Sequence, residues 1–76
     1  MQKSYTKQLE IFGKEVKRLR RKHTITQQEL AAKCDIDVRT IQRIEKGEHA
    51  VSLTILLALA KSFKLTPSEL MGCLSA

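Results

Sequence analysis

Four helix-start signals crowd the stretch between residues 26 and 66, and a chain so punctuated can only fold as short helices joined by short turns. Thr26-Gln27-Gln28-Glu29 and Thr66-Pro67-Ser68-Glu69 each read as a capping box. In such a box the hydroxyl accepts from the third helical amide and the Glu reaches back to the cap amide. Hydrophobic staples bracket both, Ile25 with Leu30 and Leu65 with Leu70. Pro67 falls at the first helical position, where a missing N–H is harmless. Asp37, flanked by Ile36 and Ile41, and Ser52, flanked by Val51 and Leu56, read as caps of the same kind.

A further helix precedes these four. Phe12, Val16 and Leu19 recur at spacings of four and three, while Lys14, Lys17, Arg18, Arg21 and Lys22 form the opposite, basic face. Such a face either solvates a helix or approaches phosphate. With 3 Gly and 1 Pro in the chain, and no strand-like alternation of β-branched residues, the expectation is all-α. The fold class predicted is a compact bundle of five helices at about 6–22, 27–33, 38–46, 53–62 and 67–72. Residues 1–5 read as a flexible basic arm and 6–76 as one domain. Leu53, Ile55, Leu56, Leu57, Ala58, Leu59 and Ala60 make the fourth helix apolar almost all round, which places it at the centre of the fold with neighbours on most sides.

At 76 residues there is room for one modest core and little room for an enzyme cleft as well. No spacing sets a nucleophile beside a base, and no glycine-rich phosphate loop is present. An enzyme is therefore not expected. Cys34 and Cys73 stand far apart without metal-ligand spacing. A set formed with His23 and His49 is conceivable, but each Cys fits a helical pattern as a small apolar residue. No metal or cofactor is expected. The longest apolar run, 55–60, is far short of the roughly 20 residues a membrane span needs. Two free thiols and no secretory leader lead us to expect a cytoplasmic protein. The 14 Lys and Arg against 8 Asp and Glu give a formal charge of +6, which suits a polyanion and a membrane surface less well.

The informative stretch runs from 27 to 45. Two helices are joined through Cys34-Asp35-Ile36-Asp37, a connection tight enough to force the steep crossing of a helix-turn-helix. Ala31 is small enough for the close approach, and Leu30, Cys34, Ile36, Ile41 and Ile44 supply the seam. On a wheel of about 100° per residue with Ile41 at zero, Ile44 lies about 60° away and both face inward. Arg39, Gln42, Arg43 and Lys46 cluster within roughly 50° of the outward direction. Arg can bind guanine O6 and N7 in bidentate fashion, and Gln can do the same with adenine N6 and N7. Val38, at the helix start, can touch a thymine methyl. A solvated polar face is the bland alternative for this one helix. The tight turn and the net charge weigh against it. Glu45 falls about 40° from Ile41, toward the core, where a carboxylate needs a partner. Arg20, at the end of helix 1, is the candidate, with a phosphate as its possible second contact.

Taken together, Leu19-Arg20, Ile25 to Ala31, Ile36-Asp37, Ile41 to Gly47, Ser52-Leu53, Leu56-Leu57 and Leu59-Ala60 resemble the lambda-repressor-like (Cro and Xre type) helix-turn-helix family over roughly residues 10–71. The resemblance implies that Gln27 contacts a phosphate and braces the recognition helix. It places Val38, Arg39, Gln42 and Arg43 at base-reading positions and Lys46 at a phosphate-contacting one. The Arg20–Glu45 pair matches a structural pair common in the family. Several positions depart from the pattern. Asp35, Thr24 and Lys64 stand where the family often has other residues, Gly at the first two. Val51 replaces a frequent Pro, and Ile55 and Ala58 occupy positions commonly polar.

One recognition helix touches few base pairs, so a two-fold homodimer on an inverted repeat, with half-sites about one helical turn (~34 Å) apart, is the expected binding form. Ile55, Met71 and Leu74 are the candidate dimer interface, with a frayed C-terminal tail as the competing reading. The function expected is a sequence-specific regulator of transcription, a repressor that occupies double-stranded DNA. A protein-interaction module such as an antitoxin or adaptor is the alternative. RNA binding is disfavoured, because the three aromatic residues include two Phe best spent in the core.

Overall fold

The computed structural model describes residues 5–75. Five helices follow one another: α1 (Thr6–Lys22), α2 (Gln27–Cys34), α3 (Val38–Glu45), α4 (Leu53–Ser62) and α5 (Pro67–Met71), with a last 3₁₀ turn at Gly72–Leu74. The expected basic arm at 1–5 lies outside the described residues except for Tyr5, which is exposed. No described helix is long and apolar enough to cross a membrane.

The helix starts follow from side chains. Thr26 accepts from the Glu29 amide at 3.0 Å, and the Glu29 carboxylate accepts from the Thr26 amide at 2.7 Å. Thr66 and Glu69 repeat the exchange at 3.0 and 2.8 Å. Ser52 accepts from the Ile55 amide at 3.2 Å. Asp37 is a correction to the expected pattern. It has the extended backbone of a cap, but its side chain makes no capping hydrogen bond. The first turn of α3 closes on the Asp37 carbonyl instead, through the Thr40 amide at 3.0 Å and the Ile41 amide at 3.4 Å. The preceding turn and the burial of Ile41 already aim this helix, so it starts without a hydrogen bond to the exposed carboxylate.

The helix ends share one device. Thr24, Asp35, Gly47 and Lys64 take left-handed φ values of 57°, 55°, 75° and 59°. After each, the next amide bonds back to a carbonyl five residues earlier: Ile25 to Arg20, Ile36 to Ala31, Glu48 to Arg43 and Leu65 to Ala60, at 2.9–3.1 Å. This is the Schellman closure, in which Gly is the usual left-handed residue. Only one of these four ends uses it.

Phe12, Val16, Leu19, Leu30, Ile41, Ile44, Leu59, Phe63 and Leu70 meet in one buried cluster, with Ala31 and Cys34 at the α2 contact. Gly13 brings α1 against the end of α3. A Cβ there would collide with the Ile44 carbonyl and lie 2.9 Å from that of Glu45. The expectation that α4 is enclosed is not met. Only Leu59 and Ala60 of this helix are buried, while Leu53 is 70% and Leu57 47% exposed. The reason is connectivity: α4 packs chiefly on α2 and α5, while α1 and α3 pack on each other. One flank of α4 is therefore left uncovered.

Candidate nucleic-acid interface

The turn between α2 and α3 is built by Asp35, whose left-handed backbone lets the chain reverse direction at once, and by Ile36, which packs against the core. Asp tolerates this region at modest cost. Ala31 is buried at the close approach. With Ile41 and Ile44 buried, α3 turns Arg39, Gln42 and Arg43 into solvent, and Lys46 follows, exposed, at its cap. Val38 is half-buried and packs on the core, so only part of its surface faces outward.

The back of α3 is held by a polar network. The Arg20 guanidinium donates from Nε to Glu45 Oε2 at 2.7 Å and from Nη2 to Oε1 at 3.2 Å. Its Nη1 donates to the Ile25 carbonyl at 3.1 Å. Gln27 Nε2 donates to Glu45 Oε1 at 3.0 Å, and Gln42 Nε2 reaches Gln27 Oε1 at a long 3.5 Å. The Arg20 and Glu45 side chains are only 12% and 4% exposed. Two charges so withdrawn from water need this degree of saturation, because an unpaired one would carry a desolvation penalty of several kcal/mol. Among the described residues no buried side-chain nitrogen or oxygen is without a partner. The network ties helices 1, 2 and 3 together and fixes the angle of α3. Three of the five Arg20 N–H groups are committed to it, one from each nitrogen.

Gln27 is bound to Glu45 and lines an open notch with Lys17, Gln42, Glu45 and Lys46. Lys17 was legible only as one member of the basic face of α1. The fold singles it out by setting that turn of α1 beside α3. Arg18, from the same face, is drawn aside by Glu15, with bonds of 2.9 and 2.7 Å. The Arg18 hydrogen bond holds the Glu15 carboxyl below its usual range.

Two of the three candidate dimer residues share one groove. Met71 and Leu74 line an apolar groove with Leu9, Phe12, Val51 and Leu56. Ile55 is half-buried and is not part of it. On the wheel of α4 it lies about 100° from Leu56 and about 160° from Leu53 and Leu57. The last two are the large exposed apolar residues that sequence reasoning assigned to the core.

Burial pushes the Cys34 and Cys73 thiols up from their ordinary value. Both therefore stay protonated at neutral pH and pack as small apolar groups. No group of three or more His, Cys, Asp or Glu able to hold a metal occurs among the described residues.

Comparison with known proteins agrees with this geometry. The model of the helix-turn-helix family matches residues 16–70. A protein of Pyrococcus horikoshii described as an HTH-type transcriptional regulatory protein is 43% identical over 53 residues, or 70% of this chain. The chain spans only 17% of that relative's length. The restriction-modification controller protein C.AhdI from Aeromonas hydrophila superposes with a TM-score of 0.78 and 32% identity, over 82% of this chain and 94% of that one. The clp gene regulator ClgR from Corynebacterium glutamicum shares the fold alone, at a TM-score of 0.82 and 18% identity, over 87% of this chain and 70% of its own.

Proposed function

The chain belongs to the helix-turn-helix family, and from that premise we propose that it binds double-stranded DNA sequence-specifically and regulates transcription, as a repressor. The observation that carries this reading is the two-sidedness of α3. Its apolar side is buried and braced through Glu45, while two guanidiniums, an amide and an ammonium stand outward with no acid among them. The names of the relatives, a transcriptional regulatory protein and a controller protein, point the same way. The family and fold are those of DNA-binding regulators rather than of enzymes.

In the proposed complex α3 enters the major groove. Arg39 and Arg43 read guanine edges, Gln42 reads adenine, and the exposed part of Val38 meets a thymine methyl. Lys46, Gln27 and Lys17 hold phosphates and set the register. Arg20 acts from behind by keeping Glu45, and with it α3, in place. Two protomers bind an inverted repeat, joined through the groove that contains Met71 and Leu74 and the neighbouring Leu53 and Leu57 face. We place Ile55 outside that contact, and the protein in the cytoplasm.

Selection of duplexes from a random library at two salt concentrations tests this reading. An inverted repeat with centres about one turn apart is the expected product. Arg39→Ala is then expected to cost about 1–3 kcal/mol at one base pair and relax specificity there. Lys46→Ala should weaken all sequences alike and lower the salt slope by about one. Equal loss on every sequence for Arg39→Ala would remove it from the base-reading set. The exposed leucines of α4 favour a second reading, an adaptor whose principal partner is a protein. Selection without any enriched motif would favour that reading instead.

A further inference from the structure

A second basic surface lies at the far end of α2 from Gln27. Lys33 in the last turn of α2, Lys61 in the last turn of α4 and Lys64 just past it line a depression of about 340 Å³ together with Ala58 and Ser62. None of these lining residues is acidic, and no carboxylate among the described residues forms an ion pair with any of the three lysines. The Ser62 hydroxyl gives its proton to the Ala58 carbonyl at 2.8 Å. Recognition here therefore rests on three ammonium groups.

Helix dipoles account for part of this arrangement. A Lys in a last turn is favoured by about 0.3–1 kcal/mol, which explains Lys33 and Lys61. It does not explain Lys64, which sits beyond the helix at φ 59°, where a side chain costs roughly 1–2 kcal/mol and Gly would cost nothing. Thr24 and Asp35 accept similar backbones, so the strain alone singles out nothing. Its coincidence with two other unpaired ammoniums around one concavity does.

We propose that this depression docks an acidic peptide segment of a partner protein, at a site separate from the DNA-binding face. Charge complementarity selects the class of partner. The small concave volume suits one or two carboxylate side chains against the Ala58 methyl and the lysine stems better than a rigid duplex. No aromatic residue lines it, so it lacks the stacking platform that single strands use. The site lies about 10 Å along α2 from Gln27, so peptide and operator can be held together.

The test is fluorescence anisotropy with fluorescein-labelled hexaglutamate at about 0.1 M salt, where surface charges more than ~10 Å apart are largely screened. The triple variant Lys33→Gln, Lys61→Gln, Lys64→Gln should weaken the peptide at least tenfold. A control with the same charge change, Lys7→Gln, Lys14→Gln, Lys22→Gln, should lose less than threefold. Affinity of the docking-site variant for a random duplex should stay within twofold of the parent. Lys64→Gly alone removes one ammonium while relaxing the backbone, so a threefold loss of peptide without a lower Tm excludes misfolding as the cause. Equal loss in the control reduces the effect to net charge and overturns the proposal. Loss of duplex binding in step with the peptide would make the surface part of the nucleic-acid face, and no peptide binding at this salt would also overturn it.

Discussion

Helices α3 and α4 are similar in length and opposite in how their composition relates to their burial. In α3 the apolar residues Ile41 and Ile44 are buried and the charged ones are exposed, with the single exception of Glu45, which is paired with the largely buried Arg20. In α4 the apolar residues outnumber the places available for them, and Leu53 and Leu57 remain in water. A pattern with a polar face tells a helix which way to turn. A helix without one is oriented by its neighbours, and here the neighbours cover only one side. Apolar excess on α4 thus leaves an uncovered apolar face, while polar excess on α3 leaves the charged face that we propose meets DNA.

The widest split should appear within α4 itself. Leu59→Ala removes a fully buried side chain and is expected to cost about 2–5 kcal/mol of stability in urea denaturation. Leu53→Ala should stay within about 0.5 kcal/mol under conditions where the protein is monomeric. A large cost at Leu53 in the monomer would mean that α4 is enclosed after all and would dissolve the contrast. A dimer that weakens on Leu53→Ala while the monomer stays unchanged would sharpen it.

The next effect belongs to α3. Glu45→Ala leaves the largely buried Arg20 without its carboxylate, at an expected cost of about 2–4 kcal/mol, somewhat below the usual range because Arg20 keeps the Ile25 carbonyl and some solvent. The double variant Arg20→Met, Glu45→Leu should recover most of the loss, since matched apolar residues need no pairing. If the double variant is no better than the single, the network does more than neutralise itself, and its bond from Gln27 carries part of the stability.

These contrasts also explain what could be read from the amino-acid order. The caps at Thr26, Ser52 and Thr66 need only residues three apart, so local spacing was enough. The Arg20–Glu45 pair was legible because a carboxylate on the apolar side of α3 demanded a cation and helix 1 ends on one. The four outward residues of α3 were legible from a single wheel. Gly13 was not, since its need for a missing Cβ arises only when α1 meets the carbonyls of Ile44 and Glu45. The missing side-chain cap at Asp37 and the open flank of α4 were hidden for the same reason, because tertiary neighbours override both local propensities. Lys17 shared its basic face with four other cations, and only packing against α3 separates it from them.

The smallest effects test how the two helices end. Both close with the same left-handed turn, but α3 uses Gly47 and α4 uses Lys64. At Gly47 a Cβ would lie 2.8 Å from the Glu10 Cα, so Gly47→Ala adds a steric clash with α1 to an unfavourable backbone and should cost about 1–3 kcal/mol. Lys64 is exposed, and relief of its backbone is partly cancelled by the extra entropy of Gly in the unfolded chain. Lys64→Gly should therefore raise stability by about 1 kcal/mol at most, read as a Tm increase of a few degrees. Opposite signs at equivalent turns would show that α3 is anchored against α1 while α4 ends free. A loss of stability in Lys64→Gly would mean instead that the Lys64 side chain holds the end of α4, and the depression it lines would then owe its lysines to the fold.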